Sequence, residues 1–511
     1  MSAIARTEDL DGAAGPDTAT LTADALAVLQ PGFDGLTAPA WLLRMVGEGL
    51  GSVALFSRNV ESPEQVAALT AQLRRVRPDL LVVADEEGGD VTRLEARGGS
   101  SFPGNLALGA VDDVELTCEV AAELGRRLAA CGVDFDWAPS ADVNSDPDNP
   151  VIGVRSFGAD PDLVARHTAA YVRGLQSAGV AASVKHFPGH GDTAVDSHHA
   201  MPRIDVDIET LRTRELVPFR AALAAGAKAV MSAHILVPAL DPVLPGTLSP
   251  AVLGGLLRAP VEEGGLGYDG LVVTDGIEMR AISGTYGIER GTVMALAAGC
   301  DAICVGGGLC DEQTVLDLRD AIVAAVRDGS LPAERLADAA RRVRELAAWA
   351  VAQRSGGPEG SAPGSDIGLR AARRALRITR SEDHTPLAAP PYVAAFTPMA
   401  NIAVGDVTPW GVAAELERLL PGTRTGDYRT GDVSEVLAAA GDRRVVAVVR
   451  DAHRHPWMRQ ALDGLVAARP DTVVVEMGVP QSAPVGSLYI ATHGAARVCG
   501  EAAAEAIVGR A

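Results

Sequence analysis

Residues 182–199 read ASVKHFPGHGDTAVDSHH, an apolar run that ends in Lys185 and His186 and leads into a loop crowded with polar side chains. The same order of a short apolar run, a loop and a helical stretch occurs eight times between residues 21 and 352. The runs are Ala25–Leu29, Val53–Phe56, Leu80–Asp85, Val133–Trp137, Ala182–His186, Ala227–His234, Leu271–Asp275 and Asp301–Val305. Because most of them are apolar on both faces, they predict parallel strands covered by helices.

The segments between these runs have the periodicity of amphipathic helices. Residues 115–132 (ELTCEVAAELGRRLAACG) and 161–179 (PDLVARHTAAYVRGLQSAG) place apolar side chains at i, i+3, i+4 and i+7. Eight strand–helix units predict an α/β protein built on a (β/α)8 TIM-like barrel. An open doubly wound sheet is the alternative, but no Gly-rich dinucleotide fingerprint follows the first strand.

The chain divides into a barrel and a smaller second domain. Residues 1–20 are small and polar and predict a disordered tail, and 21–352 hold the eight units. The stretch 353–366, QRSGGPEGSAPGSD, has the composition of a linker. Residues 367–511 begin with the helical GLRAARRALRI and continue with the apolar runs YVAAFT, RVVAVVR, TVVVEMG and SLYIAT. Helical stretches alternate with these runs, so we expect a smaller α/β sandwich.

Charge and composition exclude several classes of function. The 511 residues carry 66 acidic and 45 basic side chains, a net charge of −21, which disfavours nucleic acid as a partner. The first residues lack the pattern of a secretory signal, and no apolar stretch is long enough to span a membrane. We therefore expect a cytoplasmic protein, monomeric or a small homo-oligomer. The six cysteines are too sparse for a disulfide scaffold and predict buried free thiols.

Polar side chains close or follow the predicted strands at the end where barrel enzymes place their active sites. These residues are Asp85, Arg93, Arg155, Lys185, His186, His234 and Asp275. A packed core needs none of them there. If the barrel is correct, they all lie on one face of the molecule and form a candidate catalytic centre.

The loop after the fifth strand is the richest in titratable groups. It contains His186, His190, Asp192, Asp196, His198 and His199. One interpretation is a metal site, but no His-x-His pair lies on a strand and Lys185 would place a second cation beside the metal. The other is proton transfer. A turn can bring the Asp196 carboxylate to the His198 imidazole and hold it ready to act first as acid and then as base.

Asp275 ends the apolar strand LVVTD and faces the predicted barrel mouth. An ionised carboxylate opposite a proton donor is what a retaining glycosidase requires, one group as nucleophile and one as acid/base. The donor is usually a second carboxylic acid. A histidine becomes neutral when it gives up its proton, so it does not repel an anionic nucleophile or acceptor.

Seven motifs together resemble family 3 glycoside hydrolases of the bacterial β-N-acetylglucosaminidase type. They are KHFPGHGDTAVDSH, VALFSRNVESPEQ, VVADEEGGDVTRL, DFDWAPSADVNSDPDNPVIGVRSFG, VMSAHILVPALDP, TLSPAVLGGLLR and GYDGLVVTDGIEM. The resemblance covers roughly residues 25–350. The C-terminal part is similar, more weakly, to the second domain of two-domain members, most clearly in RDAHRHPW.

The resemblance implies a role for each candidate residue. Asp275 matches the family nucleophile, and Asp196 with His198 matches its Asp–His acid/base dyad. The matches to residues that bind the sugar are Asp85, Arg93, Arg155, Lys185 and His186, and His234 matches a histidine near the nucleophile. No metal or cofactor is implied. Two positions depart from the pattern: Asp90, where single-domain members often carry Arg, and Gly276, directly after the nucleophile.

The function expected from this resemblance is a retaining β-N-acetylglucosaminidase acting on small saccharides such as chitobiose or cell-wall muropeptide fragments. A phosphorylase that uses the same residues with phosphate as acceptor stays open. A non-catalytic sugar-binding module and a metal-dependent hydrolase are weaker alternatives, because the nucleophile and the dyad are both present. A loop of the second domain could complete the pocket. His453 and His455 are the candidates, with plain surface positions as the alternative.

Overall fold

The computed structural model describes residues 17–193, 201–356, 365–398 and 408–510. Eight short parallel strands form the first sheet structure, and their order in space follows their order in the chain. They are β1 (Leu29–Pro31), β2 (Ser52–Leu55), β3 (Leu81–Ala84), β4 (Phe135–Asp136), β5 (Ala181–Phe187), β6 (Ala229–Ser232), β7 (Leu271–Thr274) and β8 (Ile303–Val305). Their residues are buried, as expected of a sheet covered by helices.

Hydrogen bonds join the six-stranded sheet β2–β7 to the β1–β8 pair. On one side, the Ser52 hydroxyl of β2 donates to the backbone carbonyl of Leu29 in β1, at 3.4 Å between the two oxygens, and the N–H of Gly51 donates to the carbonyl of Leu26 in α1. On the other, the N–H of Thr274 donates to the carbonyl of Ala302 at 3.0 Å. The predicted TIM-like barrel is confirmed by this curled, all-parallel arrangement.

Helices surround the barrel and continue through the second domain. They are α1 (Thr18–Ala27), α2 (Ala40–Glu48), α3 (Pro63–Val76), α4 (Asn105–Val111), α5 (Val114–Ala130), α6 (Pro161–Ser177), α7 (Ile208–Thr210), α8 (Leu216–Ala224), α9 (Arg280–Tyr286), α10 (Ile288–Ala298), α11 (Glu312–Asp328), α12 (Ala333–Gly356), α13 (Ile367–Ala375), α14 (Ala413–Leu419), α15 (Val433–Ala440), α16 (Pro456–Ala468) and α17 (Arg497–Ile507). Several begin at a capping carboxylate. Asp113, for example, accepts the N–H of Leu116 at 3.0 Å.

Helix α12 covers the end of the barrel where the strands begin. Its inward face carries Val343, Leu346, Ala347 and Ala350. These side chains form one apolar cluster with inward-pointing strand residues that include Leu81, Phe135 and Val273. Helix α12 thus closes this end of the barrel, and the opposite end is left for the loops that carry the polar residues.

A second six-stranded sheet forms the core of the C-terminal part. Its strands, in chain order, are β9 (Arg377–Arg380), β10 (Tyr392–Phe396), β11 (Arg424–Tyr428), β12 (Val445–Val449), β13 (Val473–Glu476) and β14 (Leu488–Ala491). The order in space is β11-β10-β12-β13-β14-β9, and only β9 pairs antiparallel within it. Apolar clusters lie on both faces of the sheet, so the predicted α/β sandwich is confirmed.

Several predicted boundaries differ from the structure. The predicted first strand, Ala25–Leu29, is wrong, because α1 continues to Ala27 and the strand is Leu29–Pro31. The predicted tail to residue 20 overlaps α1, which begins at Thr18 after the capping Asp17. Helix α12 extends to Gly356, into the predicted linker. The other domain boundaries stay predictions.

Two further expectations concern the membrane and the cysteines. Among the described residues, none of the helices has both the length and the apolarity to cross a bilayer. All six cysteines are free thiols. Four of them are buried, whereas Cys118 and Cys310 are half-buried.

Candidate active site

The candidate residues lie where the barrel strands end. Lys185 and His186 lie near the C-terminal end of β5. Asp85 follows β3, His234 follows β6, and Asp275 follows β7. Arg93 and Arg155 lie in the loops after β3 and β4. In a parallel barrel these ends surround a single opening, so the sequence pattern corresponds to one surface of the molecule.

A buried ion network connects the β3, β4 and β5 ends. The Lys185 ammonium lies 2.6 Å from an oxygen of Asp85 and 2.6 Å from one of Glu87. Arg155 donates to Glu87 through Nη2 at 2.6 Å and through Nε at 3.0 Å. Arg93 donates to the other oxygen of Asp85 at 2.8 Å. These five side chains bring together four of the predicted sugar-binding residues.

The network keeps its members charged despite their burial. Burial raises the pKa of Asp85, but the neighbouring cations, Lys185 foremost, outweigh it and hold that pKa well below its ordinary value. Burial likewise opposes the ionised form of Glu87, yet Arg155 and Lys185 lower its pKa. The pKa of Lys185 is raised, because its two carboxylate partners more than offset burial. The site therefore presents fixed donors and acceptors of the kind that sugar hydroxyls require.

The carboxylate of Asp142, in the loop after the neighbouring strand β4, orients His186. Its Nδ1 lies 2.7 Å from Asp142, and its Nε2 lies 3.4 Å from Nη2 of Arg155. A guanidinium can only donate, so Nε2 holds the lone pair and Nδ1 carries the hydrogen that Asp142 accepts. His186 thereby joins the ion network at its edge.

Asp142 also fixes the root of the loop that follows β5. It accepts the backbone N–H of His186 at 3.1 Å and that of His190 at 2.7 Å. Farther along, Asp192 forms an ion pair with Arg214 at 2.6 Å, so its carboxylate is engaged by a cation of the protein. The predicted dyad, Asp196 and His198, lies outside the described residues.

Asp275 begins the turn after β7. One oxygen of its half-buried carboxylate accepts the backbone N–H of Gly276 at 2.8 Å. His234 lies behind this turn, with Nε2 2.9 Å from the carbonyl of Gly276 and Nδ1 2.8 Å from the hydroxyl of Thr247. Because a carbonyl only accepts, Nε2 carries the hydrogen. His234 thus holds the peptide next to the predicted nucleophile, while its predicted contact with the sugar stays a prediction.

The Asp275 turn and the ion network lie at the same end of the barrel. β7, which Asp275 follows, pairs in parallel with β6, and β6 pairs in parallel with β5, which carries Lys185. The ends of neighbouring parallel strands face the same side of a barrel. The Asp275 turn therefore shares one opening with the residues around Asp85.

The buried carboxyl group of Glu86 supports the loop that carries Arg93. Its Oε2 accepts the backbone N–H groups of Arg93 at 2.7 Å and Leu94 at 2.8 Å. Burial is the main cause that raises its pKa from 4.5 to about 7. The folded protein therefore binds a proton here more tightly than the unfolded chain, and the stabilisation that this gives is lost as the pH rises through 7.

We expect the substitution Glu86→Gln to remove this pH dependence. The amide keeps an oxygen acceptor and has no charge, so relative to the wild type the variant should gain about 3 kcal/mol in free energy of unfolding between pH 4.5 and 8. Urea unfolding midpoints at the two pH values measure the change. The exposed Glu289→Gln variant serves as control. Identical pH profiles for both variants would contradict the assignment.

The described residues contain no group of three or more His, Cys, Asp or Glu side chains arranged to hold a metal ion.

Two residues of the candidate site, Glu87 and Asp142, follow predicted strands but were assigned no role from the sequence. Each stands among polar residues after a strand, but their importance comes from their partners. Glu87 pairs with Arg155 and Lys185, and Asp142 with His186. The run of three acidic residues directly after β3, Asp85–Glu86–Glu87, is the signal that could have identified the first of them.

Comparisons with known proteins agree with this architecture. Residues 42–346 match the family model described as "Glycosyl hydrolase family 3 N terminal domain". A solved glycoside hydrolase family 3 beta-N-acetylglucosaminidase from Paenibacillus sp. is 36% identical, with a TM-score of 0.84 over 96% of this chain and 97% of that one.

Two curated relatives each match about half of the chain. A beta-hexosaminidase of Alkalilimnicola ehrlichii is 39% identical over 261 residues, which cover 50% of this chain and 73% of the relative. Beta-hexosaminidase A of Pseudoalteromonas piscicida is 37% identical over 274 residues, 49% of this chain and 45% of that protein. The chain thus spans less than half the length of the second relative. On the family match and these identities, the chain belongs to glycosyl hydrolase family 3 and is a glycoside hydrolase.

Proposed function

We propose that the protein is a retaining β-N-acetylglucosaminidase that removes terminal N-acetylglucosamine from small saccharides. Chitobiose and muropeptide fragments of the cell wall are the expected substrates, and the cytoplasm is the expected location. The observation that carries the proposal is that the Asp275 turn and the Asp85–Lys185–Glu87–Arg155 network lie at the same end of the parallel barrel. The names of the Paenibacillus and Alkalilimnicola proteins support the same substrate class.

The ion network is suited to hold the terminal sugar. Carboxylate oxygens of Asp85 can accept hydrogen bonds from adjacent hydroxyls, and the Lys185 and Arg93 cations can donate to sugar oxygens. All three are held in place by partners at 2.6–2.8 Å, so the groups are ordered before the substrate arrives. Such preorganisation lowers the entropic cost of binding and orienting the sugar.

The proposed chemistry has two steps. In the first, a carboxylate oxygen of Asp275 bonds to the anomeric carbon while His198 protonates the glycosidic oxygen, and the aglycone leaves as an alcohol. In the second, His198 takes a proton from water, whose oxygen bonds to the anomeric carbon as the bond to Asp275 breaks. Asp196 holds the imidazole of His198 in the orientation that both steps need.

Product analysis tests the proposal. Incubated with chitobiose, the enzyme should yield two molecules of N-acetylglucosamine, and proton NMR at early times should show the β-anomer of the newly released sugar, since retention requires two inversions. The same reaction in the presence of inorganic phosphate should give the same product. Accumulation of N-acetylglucosamine 1-phosphate would replace hydrolysis with phosphorolysis, and initial release of the α-anomer would contradict the covalent route.

A further inference from the structure

Asp90 connects the barrel to the second domain three residues after Glu87. Its carboxylate side chain is only 2% exposed. One oxygen accepts the backbone N–H of Ala495 at 2.7 Å, and the other forms an ion pair with Arg450. Both partners belong to the second domain: Arg450 follows β12, and Ala495 lies just before α17. Asp90, which departs from the family pattern, therefore has its two binding partners in the second domain.

The loop that carries Arg450, residues 450–455, touches the barrel a second time. His453 donates from Nε2 to the carbonyl of Pro147 at 2.9 Å. Pro147 lies in the loop after β4, which continues through Asn149 to Arg155. Asn149 in turn donates to the carbonyl of His190 at 2.9 Å, at the root of the loop that holds the predicted dyad.

The 450–455 loop is itself fixed within the second domain. Glu476, at the end of β13, accepts the backbone N–H groups of Asp451 at 2.9 Å, Ala452 at 3.2 Å and Gly478 at 2.8 Å. Asp451 has a φ of 53°, and its carboxylate accepts the N–H of Val479 at 2.7 Å. The loop is thus a rigid platform, and the barrel loops that rest on it take their position from it.

We propose that the 450–455 loop is a positioning device for sugar binding. Through Asp90 and Pro147 it holds the two barrel loops whose side chains Glu87 and Arg155 form the buried pair beside Lys185. The affinity for the terminal N-acetylglucosamine unit then depends on the second domain, although Arg450 and His453 act through other residues. This inference rests on the proposed function.

Substitutions in the loop test the inference on the full-length protein. Arg450→Met and His453→Ala should each raise KM for 4-nitrophenyl N-acetyl-β-D-glucosaminide by about fivefold to tenfold with kcat nearly unchanged. Arg450→Lys should restore most of the affinity, because it keeps the cation opposite Asp90. Arg459→Met is the matched control, since this exposed arginine of α16 lies outside the loop and donates to the hydroxyl of Ser482 in the second domain, at 3.4 Å.

The double variant Arg450→Met/His453→Ala gives the sharper readout. Since both residues act on the same Glu87–Arg155 pair, its effect on KM should be smaller than the product of the two single effects. Unchanged KM in both single variants, or a loss confined to the unfolding midpoint, would overturn the inference. An enzyme that does not act on N-acetylglucosaminides at all would instead refute the proposed function, so the two failures are distinguishable.

Discussion

Replacing Asp275 with glycine will lower kcat for 4-nitrophenyl N-acetyl-β-D-glucosaminide by a factor on the order of 10⁴ or more, because the covalent route loses its nucleophile. The carboxylate belongs to a short turn whose peptide is held by His234. The substitution therefore leaves the His234 contact with the Gly276 carbonyl available. The measurement is steady-state release of 4-nitrophenolate, together with the unfolding midpoint as a check on folding.

Azide supplies the control for this variant. With the side chain removed, azide can enter from the same face, bond to the anomeric carbon and displace 4-nitrophenolate, which leaves without a proton. The product should be the α-glycosyl azide, formed with a single inversion, and the rate of nitrophenolate release should rise with azide concentration. A variant that keeps wild-type turnover without azide would show that Asp275 is not the nucleophile.

Replacing His198 with alanine will separate substrates by their leaving groups. For chitobiose, whose sugar alkoxide needs a proton to depart, kcat/KM should fall by about 10²- to 10⁴-fold. For the 2,4-dinitrophenyl glycoside, kcat/KM should change little, because that phenolate departs unprotonated. The comparison uses kcat/KM, since this ratio reports the steps up to formation of the glycosyl-enzyme and excludes its later hydrolysis.

The neighbouring His199→Ala variant is the matched control for His198. It removes an imidazole from the same loop and should affect both substrates equally and weakly. Equal losses on both substrates in His198→Ala would argue against a role as general acid and would leave it a structural part of the loop.

The barrel and the end of it that carries the candidate site could be predicted because both have local signatures. An apolar strand followed by polar residues is visible in the sequence, as in LVVTD at residues 271–275. The error in the first strand has a physical reason. Residues 25–27 are apolar and buried, as they would be in a strand or at the end of a helix, and periodicity over so few residues does not distinguish the two.

The two strands that the sequence did not reveal lie at the edges of the second sheet. β9 (RITR) and β11 (RTGDY) are largely exposed, so they lack the apolar pattern by which the central strands were identified. In the site, the ion pairs could not be predicted either. Glu87 and Arg155 stand 68 positions apart, and Lys185 and Asp85 stand 100 apart. Only the closed sheet brings such side chains into contact.

Helix α12 closes the barrel at the end where the strands begin, and this closure determines where molecules can enter and leave. Among the described residues, side chains such as Phe135 and Val83 fill the interior between the ion network and α12, so the barrel has no channel along its axis. A sugar chain therefore cannot thread through the barrel from one end to the other. Under the proposed function, the substrate, the detached aglycone and the released sugar all pass through the end of the barrel at which Asp275 lies.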